Sequence, residues 1–245
     1  METLTQPSLE TEKISIISDV FSQAITGEIV GMSNFASLAE TIDDVHEKME
    51  AVEHANSERM HAEGFMQLAK KYGLKTIVNT EGIYWKNVRE RFLEYARKKD
   101  FIACLIIQEV MLESFAVSMY RDAGNAIGGE IGELFLATSD EEKGHLEHST
   151  DILRAELESN PDKFIGKFEE IHYSCMSILA EWSATTDLRG HCGVCNGSCM
   201  KDSLHHLDLN IESMRGNAIA LYARALDNIG IPGEKSIVWI ANLPA

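Results

Sequence analysis

Apolar positions recur at three- and four-residue spacing along nearly the whole chain, the period of one face of an α-helix. No pair of alternating segments reads as strands. The pattern predicts helices over 13–40, 43–72, 82–98, 101–124, 126–159, 162–187 and 203–229. Tyr72-Gly73, Gly124-Asn125, Asn160-Pro161 and Gly230-Ile231-Pro232-Gly233 mark the breaks as turn or stop signals. Several of the helices are long, which suits a long-helix bundle, and no repeat of solenoid period is present. One stretch departs from the pattern, RGHCGVCNGSCM at 189–200, where glycines and cysteines interrupt two helices.

The same periodicity places charged residues on apolar stripes. Glu113 shares its face with Ile106, Val110 and Val117, and Glu28 is aligned with Ile25, Met32 and Phe35. A carboxylate buried there is costly unless it is paired or binds metal. Two further helices carry Glu-x-x-His, as Glu58 with His61 and Glu142 with His145. Phe65 and Leu68 flank the first pair; Ile131, Phe135 and Ile152 flank the second. A spacing of three sets carboxylate and imidazole one turn apart on one face, both within reach of one ion. Glu, Glu-x-x-His, Glu, Glu-x-x-His on four helices is the ligand order of a di-iron or di-manganese site in a ferritin-like bundle. Mixed imidazole and carboxylate donors suit iron or manganese better than calcium or magnesium. A third Glu-x-x-His, Glu169 with His172, shows that the step by itself is weak evidence. A solvated acidic bundle is the competing reading.

Composition narrows the choice. The 245 residues carry 22 basic and 39 acidic side chains, a formal charge of −17 that argues against a nucleic-acid partner. At 44% hydrophobic and 25% charged, the chain has the make-up of a folded protein. The most apolar run, 101–120, contains Gln108, Glu109 and Glu113, so no membrane span is expected. The first residues lack a basic start followed by an apolar stretch, so a cytoplasmic setting is expected, with the five cysteines as thiols or metal ligands. Cys104 and Cys175 lie in apolar helical runs and read as buried and inert.

Five stretches carry a resemblance: GEIVGMSNFASLAE at 27–40, ERMHAEGFM at 58–66, ACLIIQEVMLESFAVSMY at 103–120, DEEKGHLEH at 140–148 and YARALDNIGI at 222–231. The chain resembles the cyanobacterial aldehyde-deformylating oxygenases, also called aldehyde decarbonylases, of the ferritin-like di-iron superfamily. The likeness covers roughly 15–187 and 203–240. It implies an all-α, ferritin-like long-helix bundle with additional C-terminal helices, as a single di-metal domain over 1–245 with a Cys-rich insertion at about 189–200. The implied ligands are Glu28, Glu58, His61, Glu113, Glu142 and His145, with Glu58 or Glu113 bridging two iron ions (manganese being the alternative) and Glu28 and Glu142 terminal. Tyr120 would donate a hydrogen bond near the site; the plainer reading is a core tyrosine satisfied by backbone. Glu141 stands where the family commonly has an aspartate orienting a ligand histidine, with a longer arm.

The implied reaction converts a long-chain fatty aldehyde, dioxygen and four electrons into an alkane one carbon shorter plus formate. The implied partners are a ferredoxin-type electron donor and an aldehyde-producing reductase. An apolar tunnel would hold the acyl chain, with Ile29, Phe35, Phe65, Phe115, Ala116 and Met119 as wall candidates, although each also reads as ordinary core.

The Cys-rich stretch has no counterpart in that family. Cys192, Cys195 and Cys199 lie in one compact turn, with His191, His205 or His206 close enough to supply a fourth ligand. The set suits tetrahedral zinc, then an iron–sulfur cluster. A redox-active dithiol, a local disulfide and simple exposed thiols compete. Function does not follow from a ligand set alone. Two alternatives therefore stand beside the aldehyde reading: an oxygenase of the same core acting on an amine, amino acid or aromatic, and a ferritin- or rubrerythrin-like protein handling iron or peroxide.

Overall fold

The computed structural model describes residues 9–184, 193–195 and 199–244, and among these there is no strand. The first two helices, α1 (Leu9–Ala39) and α2 (Val45–Lys71), pack along each other as a hairpin. Asp44 starts α2 by accepting hydrogen bonds from the His46 and Glu47 amides at 2.9 and 3.0 Å, satisfying two of the free donors of the first turn. The third helix, α3 (Ile83–Arg97), packs on α1 and links this hairpin to a second one.

The second hairpin pairs α4 (Phe101–Ile127) with α5 (Gly129–Ser159). Its turn falls at Gly128 and Gly129, with φ of 67° and 58°, in the left-handed region that glycine enters without strain. The sequence pattern set this break at Gly124-Asn125, but Gly124 serves packing instead. The carbonyl of Gly124 lies so near Gly132 that a Cβ on Gly132 would stand 2.4 Å from it. The two helices touch backbone to backbone there.

Helix α6 (161–184) starts with Pro161 in its first turn, where a missing amide costs nothing. The predicted 203–229 helix is two elements. A short α7 (Met200–Ser203) runs into a tight turn at Leu204–Leu207, and Asp208 takes φ 57°. Helix α8 (Ile211–Ile229) restarts behind Asn210, which caps the Ser213 amide at 3.0 Å. A last helix, α9 (Gly233–Ala241), anchors through the buried Trp239.

Helix α4 is long and apolar enough by length and composition to cross a membrane, contrary to the sequence expectation, yet 72% of its most apolar stretch is buried inside the bundle. It is the core helix. Two helices contain wider π turns, at Ile106–Leu112 in α4 and His172–Met176 in α6. In α4 this brings residues five apart together: Gln108 Nε2 donates to Glu113 Oε1 at 2.8 Å.

The core divides into two apolar clusters. One contains Phe35, Ala51, Val110, Met111 and Leu153, and the other contains Ile25, Phe65, Tyr120 and Phe135. On each of α1, α2, α4 and α5, the polar residues singled out by the sequence sit between a member of one cluster and a member of the other. The third Glu-x-x-His lies elsewhere. His172 bonds the Tyr222 hydroxyl at 2.9 Å and the Trp239 carbonyl at 3.0 Å, while the Trp239 indole donates to Glu169 at 2.9 Å. That pair fastens α6 to α8 and α9. Cys104 and Cys175 are fully buried, and burial pushes both thiols up to about 12, which leaves them as inert packing.

Candidate metal centre

The four long helices each bring their polar residues to one layer. Glu28 comes from α1, Glu58 and His61 from α2, Glu113 from α4, and Glu142 and His145 from α5. All six are at most 6% exposed. They form two overlapping sets whose ligand atoms lie within 4.8 Å of one another: Glu28, Glu58, His61 and Glu142, and Glu58, Glu113, Glu142 and His145.

Glu58 and Glu142 belong to both sets. Glu142 spans them, with one oxygen 2.9 Å from His61 Nδ1 and the other 2.8 Å from His145 Nδ1. Glu113 reaches only the His145 side, at 4.0 Å, and Glu28 only the His61 side, at 3.2 Å. The resemblance made Glu58 or Glu113 the bridge and Glu142 terminal; in the structure Glu58 and Glu142 are the two carboxylates common to both sets.

Four carboxylates gathered away from water repel one another. Burial, then the Glu142, Glu28 and Glu113 charges, hold Glu58 well above the usual carboxylate range. Glu113 is raised by burial and by Glu142, and Glu142 is pushed up to about 7 by burial and by Glu28. Burial alone would lower His61, but hydrogen bonds to Glu142 and Glu28 carry it up to about 11. Hydrogen bonding leaves the cluster incomplete: Glu58 Oε1, Glu142 Oε2 and His145 Nδ1 are buried without a partner. His145 Nδ1 and Glu142 Oε2 are near, but the angle between them is wrong for a hydrogen bond. Orphaned donor atoms converging on common points, with surplus negative charge, fit two divalent cations.

Groups around the cluster hold its members in place. The Tyr120 hydroxyl donates to Glu28, and burial together with the Glu28 charge keeps that hydroxyl protonated. Glu141 Oε2 lies 2.8 Å from His61 Nε2, so its carboxylate can accept a hydrogen bond from Nε2–H and hold the ring with Nδ1 toward the cluster. Asn34 donates to Gln108 at 2.8 Å, and Gln108 in turn fixes Glu113.

A cavity of about 190 Å³ opens from the carboxylates. Glu28, Glu58, Glu113 and Glu142 floor it, and Ala24, Leu112, Phe115, Ala116 and Met119 form apolar walls. Met200, the last residue of the Cys-rich stretch, and Lys201 and Leu204 just after it also line it. Of the expected wall residues, Phe115, Ala116 and Met119 face this space. Phe35 and Phe65 pack instead against neighbouring rings, Phe35 on His54 and His145 and Phe65 on Phe21 and Phe135. Ile29 packs against the apolar cluster around Phe65.

The proposed cysteine site falls partly outside the described residues, which do not include His191 or Cys192. Cys195 is half-buried and Cys199 buried; His205 is exposed, and His206 Nε2 lies 3.3 Å from Glu12. Among the described residues no group of metal-ligating side chains includes Cys195 or Cys199. The Asn79 side-chain amide donates to the Gly193 carbonyl at 3.4 Å, which docks the stretch against the segment before α3.

A third group escaped the sequence reading. His54, Glu109 and His148 offer ligand atoms within 4.8 Å of one another. His148 Nδ1 is 2.9 Å from Glu109 Oε2, and this bond carries His148 up to about 9. The signal was present in the spacing, because His54 precedes Glu58 by four, Glu109 precedes Glu113 by four, and His148 follows His145 by three.

The fold and the layer of buried carboxylates and imidazoles define a ferritin-like helical protein with a candidate dinuclear metal centre. Residues 13–165 match the family of long-chain fatty aldehyde decarbonylases, and the chain belongs to that family. The match spans all six residues of the layer and ends before the Cys-rich stretch. Among solved structures, the chain is similar to "Protein 19 with aldehyde deformylating oxidase activity" from Synechococcus. The two share 16% identity at a TM-score of 0.74, over 96% of this chain and 97% of that one.

Proposed function

We propose that the chain is a non-haem di-iron oxygenase that converts a long-chain fatty aldehyde, dioxygen and electrons into an alkane one carbon shorter plus formate. The observation that carries this reading is the pair of overlapping buried ligand sets at the floor of an apolar cavity. Family membership supplies the substrate class. Glu28, Glu58, His61, Glu113, Glu142 and His145 would hold the two ions, Glu58 and Glu142 being common to both ligand sets. Two iron ions, when bound, would supply dioxygen activation and relay to it the electrons that an external donor provides.

The protein's own side chains do the rest. The apolar walls hold the acyl chain and exclude water, so the aldehyde carbonyl lies at the carboxylate end. Tyr120 keeps its hydroxyl proton and donates a hydrogen bond to the Glu28 carboxylate, and Gln108 fixes the rotamer of Glu113. Glu141 holds the His61 Nε2 proton outside the layer. A ferredoxin-type donor would deliver electrons, and an aldehyde-producing reductase would supply substrate.

One observation favours a second reading, the same centre with a different substrate. Met200, Lys201 and Leu204 line the cavity from a part of the chain beyond the family match, and Lys201 Nζ donates to the Trp182 carbonyl.

Iron-loaded protein given a long-chain aldehyde, dioxygen and a reducing system separates the two. The proposal expects the hydrocarbon one carbon shorter and formate in equal amounts by mass spectrometry. Two bound irons with no hydrocarbon formed would overturn the aldehyde reading and favour the second.

A further inference from the structure

One helical turn from the six-residue layer, the same helices repeat its chemistry. His54 stands on α2 a turn from Glu58, Glu109 on α4 a turn from Glu113, and His148 on α5 a turn from His145. From α1, Phe35, two turns beyond Glu28, faces this layer, and its ring meets the His54 and His145 rings edge-on at 5.1 and 5.4 Å. Three polar side chains and one apolar wall make this second layer.

Glu109 is its centre. It is 1% exposed, and its two oxygens face different imidazoles: Oε2 lies 2.9 Å from His148 Nδ1, and Oε1 lies 3.5 Å from His54 Nδ1. The His54 nitrogen is buried and makes no hydrogen bond. Glu47 lies on the far side of His148, 3.3 Å from its Nε2, and that carboxylate oxygen too is without a hydrogen-bond partner. A hydrogen-bonded triad alone would leave no such atoms, since two imidazoles and two carboxylates can satisfy one another. Buried donor atoms that converge without bonding are what a cation site looks like before the cation is added.

We propose that His54, Glu109 and His148 form a mononuclear site for a divalent transition-metal ion, separate from the six-residue centre. Two imidazoles and one carboxylate with coordination positions left over suit iron(II), cobalt(II), manganese(II) or zinc(II) rather than calcium or magnesium. His54 and His148 are 12% and 23% exposed, so solvent reaches the site, whereas the six-residue layer is more deeply buried. Glu47 and Glu50 lie at its edge and draw cations toward it. None of its three residues is among the six, so the site stands whether or not the aldehyde reading does.

The test is cobalt(II) binding to metal-free full-length protein by equilibrium dialysis with elemental analysis. It is run in a background of Cys192→Ser, Cys195→Ser and Cys199→Ser, so that thiolates add nothing. Three equivalents are expected, falling to two in Glu109→Gln and in His148→Gln. The doubly substituted Glu58→Ala, Glu142→Ala protein should keep one, and that one should be lost when His148→Gln is added. Unchanged far-ultraviolet dichroism shows that each variant folds; His148, partly exposed, is the safer substitution. Saturation at two equivalents in the background protein, three retained in His148→Gln, or loss of every equivalent in His148→Gln would each overturn the proposal.

Discussion

Gly31 on α1 faces Glu58 on α2 so closely that a Cβ at Gly31 would stand 2.7 Å from the Glu58 carboxylate oxygen. The absence of a side chain on one helix is therefore what lets the other bring a charged group into the layer. Alanine at position 31 favours the helix by up to about 1 kcal/mol but displaces the carboxylate. Gly31→Ala should melt no lower than the parent when metal-free, while its affinity for manganese(II) at the six-residue centre falls by about 10- to 100-fold. Calorimetric titration checks this, and unchanged affinity would detach Glu58 from the centre.

The crowding of carboxylates predicts a second asymmetry. Burial and Glu142 hold Glu113 well above the ordinary range, so its charge opposes folding when no cation is present. Metal-free Glu113→Gln should therefore unfold at a temperature equal to or above that of the metal-free parent. Metal at a hundred times its dissociation constant stabilises the parent by about 2.7 kcal/mol, and most of this gain should vanish in the variant. Scanning calorimetry with and without manganese(II) reads both effects. Equal stabilisation of the two proteins would remove Glu113 from the ligand set.

His172 gives a pH dependence away from the centre. Burial holds its imidazole below the ordinary value of 6.5, so the folded state binds fewer protons there than the unfolded state. Stability from this residue is complete above about 6.5 and is lost as the pH falls below it. At pH 7, His172→Gln should be less stable by about 1–3 kcal/mol through the bonds it loses to Tyr222 and Trp239. Urea midpoints at pH 5 should show a smaller gap, because only the parent carries the proton penalty. A gap that widens in acid would contradict this account of His172.

Gly132 tests the α4–α5 contact. A methyl group there meets the Gly124 carbonyl, and backbone cannot swing aside as a side chain can, so Gly132→Ala should cost about 1–3 kcal/mol. Gly144, on the same helix with nothing within 4 Å of its Cβ position, is the control, and Gly144→Ala should be neutral or stabilising. Equal losses at the two positions in urea denaturation would count against close packing.

The all-helical bundle and the meeting of the six layer residues were legible because each sits among apolar neighbours at helical spacing. Glu113 between Val110 and Val117 could only point inward. The roles within the layer were not legible, since whether Glu113 or Glu142 spans both sets depends on how the helices face each other. The His54, Glu109 and His148 group is not legible for a related reason: Glu109 reads in the sequence only as a charge within an apolar run, and the π turn that carries it leaves no mark in composition. The Gly124 break was misplaced because glycine serves close packing as readily as turning, and only the approach of Gly132 tells the two apart. The break at Asp208 was missed because Leu207 and Leu209 continue the apolar pattern across a residue with φ 57°.

The central claim is that Glu28, Glu58, His61, Glu113, Glu142 and His145 hold two metal ions as one unit. Mössbauer spectroscopy of the iron-loaded protein tests it most directly. The account predicts a spin-coupled pair of irons in the parent and loss of that coupled signal in Glu58→Ala, whatever other iron the chain retains. Uncoupled irons in the parent, or a coupled pair that survives Glu58→Ala, would contradict it.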